Sequence, residues 1–525
     1  MPINPILLEV FKNRFSSIAE EMGVTLTHTA FSPNIKERRD LSCGVFDSSG
    51  DMIAQAAHIP VHLGSMPLSV KAAMRALPED EGFEPGDMVM LNDPFRGGTH
   101  LPDITVVAPV FAEGSTKPDF YVANRAHHAD VGGMTSGSMP LSTSLFQEGL
   151  IIPPVRIIRR GMINRDILAM VLSNVRTPAE REGDFAAQFM ANTTGVRRMI
   201  ECIGKYGLDT CREYGAALMD YSERITRQAI AAIPDGTYDF EDCLDGDGVR
   251  TMDIFIRLRL TVNDDMAKLD FSDSDDQAEG SINAVRAITL SCVLYVFRAL
   301  AAQDIPANAG CMRPVEVITR EGSAVDALFP AAVAGGNVET SQRIVDVILG
   351  ALSTAMPERI PAASQGTMNN VTIGNPHGPA PFAYYETLAG GMGASPGGPG
   401  ESAVHSHMTN TLNTPVEALE YAYPFLVREY AVRRDTGGEG QHRGGDGMIR
   451  DIELTAPCEG TVLSERRNHA PFGANGGEPG APGQNTLTRD GKTEELPGKF
   501  HRELRPGDRL RIETPGGGGY GAKQS

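Results

Sequence analysis

Residues 88–111 read MVMLNDPFRGGTHLPDITVVAPVF, and residues 120–133 read FYVANRAHHADVGG. In both stretches a short apolar run predicts a buried strand, and a loop that carries histidine and glycine lies next to it. The first loop joins two predicted strands, and the second loop leaves the end of a third. Because rigid scaffolds commonly carry function on such loops, these two are the first candidates for a functional site.

The two loops concentrate three of the chain's twelve histidines together with three aspartates. A set of imidazoles and carboxylates suits zinc, manganese or iron, but not a structural zinc site built from cysteines. His127 and His128 are adjacent and therefore point in different directions, so that only one of them is expected to be a ligand. The alternative is that the aspartates cap turns and the histidines are ordinary core residues. The candidate ligands are His100, Asp103, His127 or His128, with Asp40, Asp93 and Asp130 as further oxygen donors.

Charge and composition exclude several classes of protein. The 525-residue chain carries a formal net charge of -20, which argues against binding to nucleic acid or to an anionic membrane surface. We find no apolar run long enough for a transmembrane helix and no secretory signal at the N-terminus. Seven scattered cysteines without a CxxC pair favour a reducing cytoplasm over a disulfide framework.

The order of predicted elements indicates an α+β protein with a large, mixed, multi-domain fold. An N-terminal α/β part carries the candidate metal site, a helical middle follows, and the C-terminal part is rich in β-structure. A turn at Pro234-Asp235-Gly236 divides the chain into a first domain, residues 1–235, and a second domain, residues 236–525. The predicted helices are 4–22 (ending at Gly23), 69–77, 166–172, 180–199, 208–233 and 284–301, and residues 335–415 are expected to be glycine-rich with mixed strands.

Other motifs are weaker. Residues 393–397 match the G-x-S-x-G nucleophile elbow, but Pro396 follows the serine and has no N–H for an oxyanion hole. Residues 405–407 (His-Ser-His) and 335–341 are either polar turns or parts of an active site. Residues 273–277 resemble a cation loop without the EF-hand glycine, and a strand exit is the simpler interpretation. We find no P-loop and no dinucleotide fingerprint in the chain.

The two histidine stretches resemble the hydantoinase B / 5-oxoprolinase family. Further matching stretches are GGNVETSQ at 335–342, GGEGQHRGGDGMIR at 437–450 and PGGGGYG at 515–521. Several long motifs in the same order make the resemblance specific, and together they cover essentially the whole chain. The resemblance implies a subunit of an ATP-dependent enzyme that opens hydantoin, 5-oxoproline or lactam rings. More distant relatives carboxylate acetone or acetophenone.

The family resemblance also implies a partner and a set of site residues. ATP and Mg²⁺ would bind to a hydantoinase A-type subunit with an actin-like ATPase fold, in a heterotetramer with two subunits of each type. Bicarbonate is a possible co-substrate. The divalent metal (Zn or Mn, or Fe) would be held by Asp40, His100, Asp103 and either His127 or His128, of which His127 is the preferred ligand. As a hypothesis about the mechanism, Arg96, Arg125 and His128 would stabilise negative charge that develops in the reaction.

Three functions fit these features. The first is a metal-containing subunit of an ATP-dependent cyclic amide hydrolase. The second is a subunit of an ATP-dependent ketone carboxylase, which would use the same metal site to form a carbon–carbon bond. The third is a non-catalytic subunit that stabilises an ATPase and would carry no stoichiometric metal.

Overall fold

The computed structural model describes residues 3–56, 58–78, 81–301, 305–375 and 381–523. Within them, no helix is both long and apolar enough to cross a membrane. The helices are α1 Pro5–Thr29, α2 Pro33–Lys36, α3 Met66–Ala76, α4 Arg165–Leu172, α5 Pro178–Tyr206, α6 Leu208–Ile230, α7 Arg286–Leu300, α8 Ser341–Ala355 and α9 Val416–Ala422, and a π-helical turn, Gly336–Thr340, precedes α8.

The strands of the described residues form four sheets, so that the predicted α+β class and multi-domain, mixed character are confirmed. In chain order the strands are β1 Leu41–Asp47, β2 Met52–Gln55, β3 Met88–Leu91, β4 Asp103–Val110, β5 Phe120–His127, β6 Val155–Arg159, β7 Met162–Ile163, β8 Gly236–Leu244, β9 Ile254–Asn263, β10 Met266–Asp270, β11 Val315–Ile318, β12 Asn370–Asn375, β13 Phe382–Glu386, β14 Phe425–Arg433, β15 Gly447–Leu454, β16 Cys458–Leu463, β17 Gln484–Arg489, β18 Lys492–Leu496, β19 Lys499–Leu504 and β20 Arg509–Glu513.

The first sheet positions the candidate site. It is antiparallel, with the strand order β2-β1-β5-β4-β3-β6-β7. Helices α1 and α5 pack on one face and α3 packs on the other. Because side chains alternate along a strand, Arg125 and His127 lie on the same face of β5 as Tyr121 and Ala123, which pack in the core beneath α3.

The largest hydrophobic core contains side chains from α1, the first sheet, α5, α6, β8 to β10, α7 and α8. It therefore includes residues on both sides of position 235, and the division of the chain at that position stays a prediction. A second core lies between the sheets β13-β12-β16-β19 and β14-β15-β20-β17-β18. This second core accounts for the β-rich character predicted for the C-terminal part.

Helix α8 was not predicted, because residues 335–415 were expected to be glycine-rich loop with mixed strands. Its apolar residues do recur at helical spacing (Ile344, Val345, Val347, Ile348, Ala351 and Leu352), but the glycine-rich composition of the surrounding stretch favoured a loop. Its polar side is buried as well, because its charged residues are paired across the interior: Arg343 Nη1 lies 2.8 Å from Asp242 Oδ2, and Asp346 Oδ2 lies 2.6 Å from Arg466 Nη2.

Helix α1 continues past Gly23, where the sequence predicted its end. The glycine serves close packing instead of termination. A Cβ at this position would lie 2.5 Å from the imidazole ring of His58. That ring is held in place by the backbone N–H of Cys43, which donates to His58 Nδ1 at 3.2 Å.

Candidate metal centre

His100, Asp103 and His127 meet at one end of the first sheet. Asp103 begins β4 and His127 ends β5, and the two residues are directly opposite in the antiparallel register. Asp103 Oδ1 lies 3.1 Å from His100 Nε2 and 3.2 Å from His127 Nδ1. One candidate ligand atom from each of the three residues lies within 4.8 Å of the others, and all three side chains are buried. We call these three residues the metal centre.

The loop between β3 and β4 turns His100 inward. Gly97 has a φ of 95°, which favours glycine, and a Cβ at Gly98 would collide with the carbonyl oxygen of Asn92. Asn92 Nδ2 donates to the carbonyl of Leu101 at 2.8 Å and closes the loop. The glycines and asparagine therefore create the tight turn that places His100 beside the start of β4.

Asp103 is the most strongly held of the three side chains. Its Oδ2 accepts a hydrogen bond from Thr99 Oγ1 at 2.8 Å and lies 3.2 Å from His62 Nε2. Burial raises the pKa of Asp103, but the charges of His100 and His62 and the hydrogen bonds of the imidazoles outweigh it and hold this pKa well below its usual range. The carboxylate is thus kept ionised, which is the form that binds a metal.

His100 presents Nε2 to the centre. Its Nδ1 lies 3.3 Å from the carbonyl oxygen of Ala334, and its Nε2 lies 3.1 Å from Asp103 Oδ1. This arrangement is typical of metal-binding histidines. Asn337 Nδ2 lies 3.1 Å from the same Nε2. The motif at residues 335–342 therefore contacts the metal centre, and its interpretation as a simple polar turn is excluded.

The His127-His128 pair separates across the sheet. The ring of His127 faces Asp103 and stacks on Tyr385, with 4.4 Å between ring centroids. His128 turns to α5, where its Nε2 lies 3.0 Å from Gln188 Oε1. Burial and the nearby charge of Arg181 lower the pKa of His128 to about 4. The geometry thus favours His127 as the ligand and leaves His128 outside the metal centre.

Asp40 lies beside the metal centre but is not one of its three converging side chains. Its backbone carbonyl accepts from the N–H of His127 at 3.0 Å, while its carboxylate lies 3.8 Å from Arg38 Nη2. Burial lowers the pKa of His127, and Asp103 and Asp40 partly offset this effect. Asp40 is therefore close enough to act electrostatically, and its role as a fourth ligand stays a prediction.

Two further aspartates hold loops together. Asp93 Oδ1 accepts from the N–H of Phe95 at 3.0 Å and caps the turn of the first loop. Asp130 Oδ2 lies 2.9 Å from Arg176 Nη1 and Asp130 Oδ1 accepts from the N–H of Gly132. The contacts of Asp93 and Asp130 are therefore those of aspartates that cap turns, which was the alternative to a role as metal ligands.

The two arginines predicted to stabilise negative charge differ in position. Arg125 is buried, and its guanidinium donates to the hydroxyls of Thr105, Ser65 and Ser69 at 2.6 to 2.8 Å. Burial lowers the pKa of Arg125 to about 10, although the charge of Asp103 opposes the shift. Arg96 is exposed on the outer side of the loop, with its Nε 3.5 Å from Asp93 Oδ2. The structure therefore does not bring Arg96 into the metal centre.

Several residues of the site were not found from the sequence. His62 and Ser42 carry no motif signal, and Thr99 lies in the first histidine stretch but was not singled out. Ser42 Oγ lies 2.9 Å from His62 Nδ1 and so orients this ring toward Asp103. Tyr385 and Glu339 were also missed as individual residues. Of these two residues, only Glu339 lies in a stretch that the sequence analysis had singled out, residues 335–342.

A chain of buried polar groups leads away from the metal centre. Tyr385 Oη donates to Asn370 Oδ1 at 2.9 Å, and Asn370 Nδ2 donates to Glu339 Oε1 at 2.7 Å. Burial and the nearby charge of Glu465 raise the pKa of Glu339 to about 7. A carboxyl with such a pKa is suited to accept or give a proton near neutral pH.

The second histidine motif, residues 405–407, packs on α7 and α8. His407 Nδ1 lies 3.3 Å from Tyr295 Oη, and Gln342 Nε2 donates to the carbonyl of Ser406 at 3.1 Å. Among the described residues, no hydrogen bond or ion pair joins this motif to His100, Asp103 or His127.

The chain is similar in sequence to known proteins over nearly its whole length. The chain is 39% identical to 5-oxoprolinase 1 of Arabidopsis thaliana over 98% of its own length, but it spans only 42% of that protein. It is 30% identical to a Pseudomonas protein described as the B component of a D-/L-hydantoinase, with 99% of this chain and 90% of that protein covered.

Two solved structures share the fold of this chain. The ATP-dependent caprolactamase from Pseudomonas jessenii matches with a TM-score of 0.91 and 28% identity, and the match covers 99% of this chain and 92% of that chain. Acetone carboxylase in its nucleotide-free structure matches with a TM-score of 0.89 at 18% identity, over 99% of this chain and 76% of that chain. The second match concerns the fold alone.

The family model described as Hydantoinase B/oxoprolinase matches residues 4–523, which is nearly the whole sequence. The stretches that first indicated the family are those that build the metal centre and the turn beside it. Since sequence and fold agree over this whole length, the chain belongs to the hydantoinase B/oxoprolinase family.

Proposed function

We propose that this chain is the metal-binding subunit of an ATP-dependent cyclic amide hydrolase and acts with a separate hydantoinase A-type ATPase subunit. The observation that carries the proposal is the convergence of His100, Asp103 and His127 at the end of the first sheet. The relatives described as 5-oxoprolinase, hydantoinase and caprolactamase support the reaction class. An assembly with two subunits of each type, in the cytoplasm, belongs to the same proposal.

The donor set fits a divalent transition metal. His100 Nε2, Asp103 Oδ1 and His127 Nδ1 would hold Zn, Mn or Fe, with Asp40 as a further oxygen ligand. Such a metal polarises an amide carbonyl or lowers the pKa of a bound water. Three protein ligands would leave a position open for a substrate atom, which distinguishes such a site from a closed structural one, whereas Asp40 as a fourth ligand would require a metal that is more than four-coordinate.

Other residues of this chain would orient these ligands and stabilise charge at the metal centre. Thr99 and His62 fix the carboxylate of Asp103, and the Ala334 carbonyl fixes the tautomer of His100. Arg125 would act on the centre through its field, since each of its three guanidinium nitrogens donates to a hydroxyl. Roles for Arg96 and His128 in stabilising negative charge remain part of the proposal and require these side chains to approach the substrate.

ATP would supply the driving force for opening an unstrained ring. In the proposed sequence the γ-phosphoryl group passes from ATP, bound with Mg²⁺ on the partner, to the amide oxygen or to bicarbonate, and ADP leaves. In the direct route, water then adds to the activated carbon, and the C–N bond breaks to give the free amine and an acyl phosphate. A second water hydrolyses the acyl phosphate to the carboxylate and phosphate. The net reaction consumes one ATP and two waters for each ring and yields ADP, phosphate and the ring-opened acid, which is an amino acid from a lactam and an N-carbamoyl amino acid from a hydantoin.

A substrate panel tests this function. The chain is co-expressed with its ATPase partner, and ATP-dependent ring opening is measured with 5-oxoproline, hydantoin, N-methylhydantoin and caprolactam. We expect turnover of at least one ring, and its loss in His100→Ala but not in the control His442→Ala, whose described hydrogen bonds use only its backbone. Full activity in a metal-free His100→Ala protein contradicts the proposal.

The two other functions are outcomes of the same experiment. With acetone and acetophenone added to the panel, retention of label from ¹³C-bicarbonate in the product would identify a ketone carboxylase, which was the second function that the sequence allowed. A purified protein without stoichiometric metal, whose only effect is to stabilise the ATPase, would identify a non-catalytic subunit.

A further inference from the structure

A second group of metal-ligating side chains lies on other elements of the fold. Cys243 lies near the end of β8, Asp253 directly precedes β9, and His469 lies in the segment that follows β16. One candidate ligand atom from each residue lies within 4.8 Å of the others. None of these residues belongs to the metal centre, and none was a candidate ligand in the sequence.

The backbone around this group is held by its own hydrogen bonds. Strands β8 and β9 are antiparallel, and their pairing ends with Leu244 opposite Ile254, so that the connecting loop returns beside Cys243. Asp245 Oδ2 in this loop accepts from the N–H groups of Arg467 and Asn468, at 2.6 and 3.0 Å. These bonds bring His469 to the loop, so the approach of the three side chains is built into the chain path.

The three side chains differ in whether they already have a hydrogen-bond partner. His469 Nε2 lies 2.9 Å from Asp253 Oδ2, which by itself describes an ordinary hydrogen-bonded pair. The thiol of Cys243 is different, because it is buried beside this pair and its sulfur takes part in no hydrogen bond with the described residues. A metal would use all three groups, whereas the pair alone leaves the thiol without a role.

The donor types select the ligand. Thiolate, imidazole and carboxylate together suit a thiophilic divalent cation, above all Zn²⁺. The side chains of Asp253 and His469 are 35% and 40% exposed, and Asp253 lines a surface cavity of about 840 Å³. A cation could therefore reach the group from solvent, and water could complete its coordination.

We propose that Cys243, Asp253 and His469 form a second, surface-accessible site for a thiophilic divalent cation such as Zn²⁺. Binding replaces the thiol proton, which passes to the buffer, by a metal–sulfur bond. The cation ties the β8–β9 loop to the segment after β16. Since it binds the folded chain, it raises the melting temperature of the protein.

Cobalt distinguishes this site from the metal centre, because only this site contains a thiolate. Co²⁺ is added to the full-length protein that has been stripped with a chelator, and the near-ultraviolet thiolate-to-cobalt charge-transfer band is recorded. We expect a band that titrates to one equivalent, that Zn²⁺ abolishes, and that survives His100→Ala. Cys243→Ser removes the band, whereas Cys458→Ser, which changes another buried cysteine outside the group, retains it.

A second measurement covers the case in which Cys243→Ser folds poorly. His469→Gln leaves the thiol in place and is expected to weaken Co²⁺ binding about tenfold or more, as the loss of a ligand does. In the His100→Ala background Zn²⁺ should raise the melting temperature, and His469→Gln should abolish this shift. Absence of the band in the wild-type protein, or an undiminished band in Cys243→Ser, would overturn the proposal.

Discussion

At the scale of single residues, Asp103 organises the candidate site. One carboxylate oxygen faces both imidazoles of the metal centre, and the other is held by Thr99 and His62. All of these groups are buried, so each contact is made in a low-dielectric interior where an unpaired charge is costly. Substitutions here should therefore affect metal binding before they affect anything else.

Asp103→Asn should abolish metal binding and turnover. The change keeps the shape but removes the negative charge between two imidazoles, and an amide is a poor ligand for a transition metal. We expect metal content to fall to background and ATP-dependent ring opening by the full complex to fall about 100-fold or more. The control Asp239→Asn alters an exposed ion pair with Arg259 and should change neither quantity. Full metal content in the Asp103→Asn protein would contradict the assignment.

Thr99→Val tests the support of that carboxylate. The substitution is nearly isosteric and removes only the hydroxyl that donates to Asp103 Oδ2. We expect metal affinity, measured by competition with a chelator, to fall about 10- to 100-fold while the protein still folds. Thr488→Val, at a threonine pair on the outer β17–β18 hairpin, is the matched control. Equal affinities of the two variants would show that the hydroxyl does not support the ligand.

The histidine pair gives a third residue-scale prediction. His127→Gln should lose the metal, because the ring at this position faces Asp103. His128→Gln should retain it, because its ring contacts Gln188 and Phe185 on the other side of the sheet. Metal analysis of the two purified variants decides the point, and the reverse result would exchange the roles of the two histidines.

At the scale of elements, glycines decide where helices and loops approach each other. Gly98 permits the tight loop that carries His100, and Gly23 permits the ring of His58 to lie against α1. Helix α8 has an amphipathic sequence pattern, but its polar side is buried too, because Arg343 and Asp346 are paired with the distant residues Asp242 and Arg466. Local sequence alone is a poor guide to such elements, since long-range contacts override propensity.

Gly23→Ala should destabilise the protein although alanine favours a helix. The added methyl group would meet the His58 ring, which is pinned by Cys43, and overpacking of this kind costs about 1–3 kcal/mol. Gly204→Ala in α5 is the control, because nothing lies within 4 Å of the added Cβ and the change should be neutral or stabilising by up to about 1 kcal/mol. Urea unfolding of both variants measures the difference, and equal midpoints would refute the packing explanation.

At the scale of the whole molecule, the chain supplies a metal centre but no recognised nucleotide-binding motif. The same family model covers it from residue 4 to residue 523, and its plant relative carries more than twice the matched length. The proposed function assigns the ATP site to a separate hydantoinase A-type subunit. The β-rich C-terminal part packs its Tyr385 onto His127, so both halves of the chain contribute to the centre.

The purified chain alone should bind its metal but should neither hydrolyse ATP nor open a ring. Addition of the hydantoinase A-type subunit should restore both activities, because the proposed phosphoryl transfer needs both subunits. Phosphate release and product formation are measured with and without the partner, and the partner alone is the control. Ring opening by the isolated chain in the absence of ATP would contradict the two-subunit scheme.

The family, the α+β class, strands β3, β4 and β5 of the first sheet and the candidacy of His100, Asp103 and the histidine pair could all be predicted from the amino-acid sequence. These features depend on local signals: apolar runs, turn residues and motifs that lie within single loops. That His127 and not His128 faces Asp103 became known only from the folded chain, since it depends on the register between β4 and β5. Folding also brings His62, Asn337 and Tyr385 to the centre from distant segments, and such packing leaves no pattern in a single sequence.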